Sequence, residues 1–160
     1  MKVRVFGLQG SGTNFVEWTV MNNFNGLGLS IEKKAIRNVE GDVHYGKTQN
    51  LKHCYPINDS DFFNIIIQRD FDEWINSNHV QSSNYTKETY NYYYDTPIRE
   101  KWDTKDYILV NHRWCVLNYY DFLKLISQKT NCDIKEHWEQ PKYKMAISNG
   151  KKMTKTPYEY

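Results

Sequence analysis

A chain of 160 residues, 39% hydrophobic and 25% charged, is long enough to bury a real core and has an ordinary globular composition. Its formal net charge of +2 is too small for a general nucleic-acid binder. No apolar run reaches membrane-spanning length, the three cysteines form no disulfide framework, and no signal-peptide pattern precedes the first strand, so the expected setting is a reducing cytoplasm. Aromatic residues reach 16%, with 13 tyrosines, which suits wet surfaces and clefts because Tyr packs and hydrogen-bonds at once.

In chain order, Lys2–Leu8 is short, β-branched and closed by Gly7, which predicts a strand. Thr13–Phe24 carries Phe15, Val16, Trp18, Val20, Met21 and Phe24 at helical spacing. The polar stretch 25–47 reads as loop with short irregular pieces, and Asn50–Tyr55 as a short strand stopped by Pro56. Phe62–Gln68 is a continuous apolar run, as expected of a parallel strand buried on both faces. Phe71–Gln81 follows as a helix, and the Tyr- and Asn-rich stretch 82–97 as an exposed loop or frayed helix. Tyr107–Val110 and Trp114–Asn118 are strand-like, Tyr120–Lys129 is an amphipathic helix, and the pattern fades after Asn131 into a basic tail over 142–160. Alternating strands and helices predict one three-layer α/β domain over 1–160, with a mainly parallel sheet flanked by helices. Asn58-Asp59-Ser60 and Asn84-Tyr85-Thr86 match the glycosylation pattern, which has no use without secretion.

The glycines of Gly7-Leu8-Gln9-Gly10-Ser11-Gly12-Thr13 lie between the first strand and the first helix. Such a turn brings backbone close to a ligand, and the N–H groups and dipole of the helix start attract an anion. Gly7 and Gly12 have the spacing of a nucleotide-kinase P-loop, but Thr13 stands where that motif has Lys, and Asn14 where it has the magnesium-binding hydroxyl. A triphosphate is therefore poorly served.

The segment Gly7–Phe15 resembles the 5′-phosphosulfate loop of the sulfotransferase family, Pro-Lys/Arg-Ser-Gly-Thr-Thr/Asn followed by an apolar helix. Asn64-Ile-Ile-Ile-Gln-Arg69-Asp70, followed by Trp74 and Ser77, resembles its 3′-phosphate segment, and Leu51-Lys52-His53-Cys54-Tyr55-Pro56 its Lys-Thr-His-Leu-Pro strand, with His53 one position early. Val116–Leu123 resembles the family's Arg-Tyr-Glu-Asp-Leu segment. The resemblance implies a P-loop fold and a donor, 3′-phosphoadenylyl sulfate, used without a metal and released as adenosine 3′,5′-bisphosphate. It implies that Gly10, Ser11, Gly12, Thr13 and Asn14 hold the 5′ end, and Arg69 and Ser77 the 3′-phosphate. Lys52 would stabilise the leaving oxygen, and His53 or His44 would take the proton of a small-molecule or glycan acceptor. One departure bears on catalysis: Gly10 stands where the family has Lys or Arg. Either another cation substitutes, or the chain binds nucleotide without transferring sulfuryl. A small P-loop kinase or NTPase is the remaining alternative. Zinc held by His112, Cys115, Cys132 and His137 fits the ligand chemistry, but Cys115 lies in an apolar run where Cys serves as a small hydrophobe.

Overall fold

The computed structural model describes residues 1–30, 37–39, 42–44, 53, 55–76, 85–148, 152–158 and 160. Strand β1 (Lys2–Phe6) leads through the glycine turn to α1 (Thr13–Asn23) and the short edge strand β2 (Gly28–Leu29). Two short strands, β3 (Arg37–Val39) and β4 (Asp42–His44), pair antiparallel as a separate ribbon. Then follow β5 (Phe63–Gln68), α2 (Phe71–Ile75), α3 (Lys87–Tyr94), α4 (Thr96–Arg99), β6 (Tyr107–Asn111), α5 (His112–Leu117) and α6 (Tyr119–Thr130). A hairpin of β7 (Tyr143–Ser148) and β8 (Lys152–Pro157) comes last.

The main sheet is parallel throughout, in the order β2-β1-β5-β6, with Val3 opposite Phe63 and Ile65 opposite Ile108. The chain steps from β1 outward to β2, then returns across β1 to β5. The strand order therefore reverses between β1 and β5. Open α/β sheets bind ligands at that point.

Alternation along the strands decides what covers each face. Val3, Val5, Ile65, Ile67, Ile108 and Val110 pack against Phe15, Val16 and Val20 of α1 and Phe122, Leu123 and Ile126 of α6. Phe6, Leu8 and Ile66 point the other way, against Trp74, Tyr90, Tyr93, Tyr94 and Trp102. Because β5 is covered on both sides, its sequence is apolar without alternation. The fold is thus α/β, with a parallel sheet between helices. No helix among the described residues is long and apolar enough to cross a membrane.

Four expectations change. Of the two readings of the tyrosine stretch, loop or frayed helix, the helical one holds for residues 87–94, but that helix starts at a reciprocal Thr86–Thr89 capping box and buries Tyr90, Tyr93 and Tyr94. Tyr and Asn suggested a loop by composition, but three of the tyrosines share one helical face against the sheet. Trp114–Asn118 belongs to α5, started by the Asn111 side chain accepting from the Trp114 amide at 3.2 Å. His53 is helical, not extended. The basic segment after 142 is a β-hairpin, with Tyr143 opposite Pro157. Its strands pair with each other and leave no trace in the core pattern of the main sheet. The segment before that hairpin is fastened to α1: the Lys135 amide donates to the Asn23 carbonyl at 2.8 Å, and the Asn25 amide to Asp133 at 2.9 Å.

Candidate functional site

The turn after β1 is shaped by two left-handed glycines, Gly10 at φ 83° and Gly12 at φ 109°. The Ser11 amide closes a four-residue turn onto the Leu8 carbonyl at 3.0 Å, with Gly10 at its third position, where positive φ is required. Gly12 is the N-cap of α1 and provides no side-chain cap. The orphan amides of the first helical turn are not satisfied by that residue.

Side chains from four other places bond the turn. Trp74 Nε1 donates to the Gln9 carbonyl at 2.9 Å, Arg69 Nη1 to the Gly10 carbonyl at 3.4 Å, and His53 Nδ1 bonds the Gly7 carbonyl at 2.8 Å. A carbonyl only accepts, so His53 carries its proton on Nδ1; in the neutral ring Nε2 is then the basic nitrogen. The Tyr94 hydroxyl accepts from the Leu8 amide at 3.1 Å and donates to the Ile67 carbonyl at 3.0 Å, joining the ends of β1 and β5. Burial pushes the Tyr94 phenol well above its ordinary value, so it remains a donor. Carbonyls 7, 9 and 10 are thus each bonded by a side chain from another element, which fixes the path of the turn.

Two arginines and a histidine are linked to the turn, directly or through Glu73. Arg69 follows the carboxyl end of β5; its backbone carbonyl accepts from the Tyr90 hydroxyl, and its Nε lies 3.9 Å from Glu73. Arg113 reaches the same Glu73 at 3.1 Å. His112, directly after β6, packs its ring on Gly12, where a Cβ would come within 2.4 Å of Cδ2. Its Nδ1 bonds the Tyr160 hydroxyl, and its ring meets Phe15 edge-on at 5.1 Å.

The expected residues are only partly brought together. Gly10, Gly12, Thr13 and Asn14 form the turn and helix start, with Asn14 exposed and Thr13 buried. Ser11 is fully buried, with Oγ turned beneath the turn toward Gly7 and the Tyr94 hydroxyl rather than outward. Arg69 and His53 both touch the turn. His44 lies in β4, its backbone paired with Arg37. Lys52, Cys54 and Ser77 lie outside the described residues. Of the zinc candidates, His112 is engaged at the turn and Cys115 is buried in the core, its thiol pushed up by desolvation. Among the described residues no three His, Cys, Asp or Glu side chains cluster as metal ligands. Trp74 was singled out beside Arg69 in the sequence, but Tyr94, His112 and Arg113 were not read as neighbours of the turn. The signal for the last two was their place directly after a parallel strand.

Family models, characterised proteins and solved structures were all compared with this chain, and none matches it.

Proposed function

We propose that the chain is a sulfotransferase-like protein. It would hold the 5′ end of 3′-phosphoadenylyl sulfate on the turn from Gly10 to Asn14 and pass the sulfuryl group to a hydroxyl or amine acceptor. The observation that carries this reading is the turn itself: a glycine turn at the strand-order reversal, its carbonyls held by His53, Trp74 and Arg69, in the setting where successive backbone N–H groups bind anions. In the step proposed, the acceptor atom attacks sulfur and the bond from sulfur to the bridging oxygen breaks. His53 Nε2 takes the acceptor's proton, and adenosine 3′,5′-bisphosphate leaves. Arg69 is brought to Gly10 by the tertiary fold and supplies the cation that residue 10 lacks; one such contact is worth about 10²–10³ in rate.

The Glu73 carboxylate beside both Arg69 and Arg113 favours a second reading, nucleotide binding without transfer, since it already neutralises part of the charge a transition state would use. Thermal melting with adenosine 3′,5′-bisphosphate in magnesium-free buffer tests the shared claim. A ligand at about 100 times its Kd adds about 2.7 kcal/mol to the folded state. An unchanged melt at saturating concentrations removes both readings. Where binding is found, incubation with labelled donor and mixed hydroxyl and amine acceptors separates transfer from storage.

A further inference from the structure

The Tyr160 hydroxyl lies between two groups that are themselves pinned to the turn. His112 rests on Gly12 and bonds this hydroxyl through Nδ1. Arg69, which donates to the Gly10 carbonyl, also reaches the phenol. Arg113 holds its guanidinium 5.4 Å from the Tyr160 ring centre. The phenol oxygen is therefore tied to one side chain that touches Gly12 and to another that touches Gly10. Burial raises the Tyr160 pKa, so the group there is a neutral phenol near pH 7. A neutral oxygen satisfies Arg69 less well than an anion, because charge-assisted bonds are roughly twice as strong.

The rest of the segment is built to stay while Tyr160 moves. Tyr158 packs edge-on against Phe15 at 5.1 Å and tilts on His112 at 5.5 Å, and its amide donates to the Lys142 carbonyl at 3.0 Å. Tyr160 itself is 38% exposed and lies outside the buried clusters. It can swing away without opening the core.

We propose that Tyr160 is a displaceable placeholder in the anion site, and that His112, Arg69 and Arg113 contact the ligand's oxygens once it leaves. This rests on the reading of the glycine turn as a phosphate site. A placeholder lowers apparent affinity by the fraction of molecules in which it has swung away.

Calorimetric titration of adenosine 3′,5′-bisphosphate into wild type, Tyr160→Phe, Tyr160→Ala and Arg113→Gln provides the test, with each variant's melting curve recorded. Removing a hydroxyl bound to His112 and facing the charge of Arg69 is expected to tighten binding about tenfold. Arg113→Gln, on a side chain 51% exposed, is expected to weaken binding while the fold survives. Equal affinity for wild type and both Tyr160 variants overturns the placeholder while leaving the anion site standing. Weaker binding by Tyr160→Ala with an unchanged melt overturns it too, and makes Tyr160 part of the ligand's own contacts. No binding by any of the four proteins removes the anion site itself, and the placeholder with it.

Discussion

Gly12→Ala isolates the geometry on which the turn depends. At φ 109° the backbone is in a region that side chains with a Cβ rarely adopt, which costs about 1–3 kcal/mol. The added methyl would sit 2.4 Å from His112 Cδ2 and 3.1 Å from its Cγ, so the imidazole must move. That ring is held on one side by Phe15 at 5.1 Å and by Tyr160 at Nδ1, and forcing extra volume into such a place costs about 1–3 kcal/mol more. The two add to about 2–6 kcal/mol, and for a chain of this size each kcal/mol moves the melting temperature by about 2–4 °C. Thermal unfolding followed by circular dichroism should show Gly12→Ala melting well below wild type, with weakened nucleotide binding at temperatures where it remains folded. Gly28→Ala is the control: nothing lies within 4 Å of its Cβ position, and its melt should stay close to wild type. A Gly12→Ala protein that melts with the wild type refutes the account of the turn, because neither strain nor crowding would then be present.

Three further outcomes follow from buried polar contacts. Tyr94→Phe strips the partner from both the Leu8 amide and the Ile67 carbonyl, and should cost about 2–4 kcal/mol in urea titration; a loss under about 0.5 kcal/mol would show that water replaces the hydroxyl there. Asn23→Ala removes Nδ2 bonds to the Tyr119 hydroxyl at 2.7 Å and the Glu139 carbonyl at 2.8 Å, and the Oδ1 acceptor of the Glu139 amide at 2.9 Å. It should destabilise by about 2–4 kcal/mol and speed hydrogen exchange at residues 135–139; exchange unchanged in that segment would mean that the Lys135 and Asn25 backbone bonds hold it without Asn23. Burial pushes the Tyr90 and Tyr158 phenols from 10.0 up to about 12, so the folded state keeps protons that the unfolded chain sheds. Stability should therefore be independent of these groups at neutral pH and fall as pH rises from about 10 to 12; chemical denaturation midpoints that stay level across that window would contradict the burial of these two rings.

What could be read from residues alone was whatever local spacing encodes. The apolar run of β5, the 3.6-residue stripes of α1 and α6, and glycines between a strand and a helix each carry their meaning within a dozen positions. They led to the parallel sheet and to the turn where a ligand would sit. The burial of the tyrosine helix was missed because its composition resembles a loop until the sheet shows which rings it covers. Arg69 was visible as a cation after a strand, yet only the packing of β1 beside β5 turns it onto Gly10. His112, Arg113 and Tyr160 are separated from Gly12 by about a hundred residues or more, and no local pattern announces their meeting. The sequence determined which segments are strands and helices around a glycine turn, because those choices depend on neighbours along the chain. Which side chains grip that turn was decided by the order in which the strands assemble, since only that order sets distances between residues far apart in the chain.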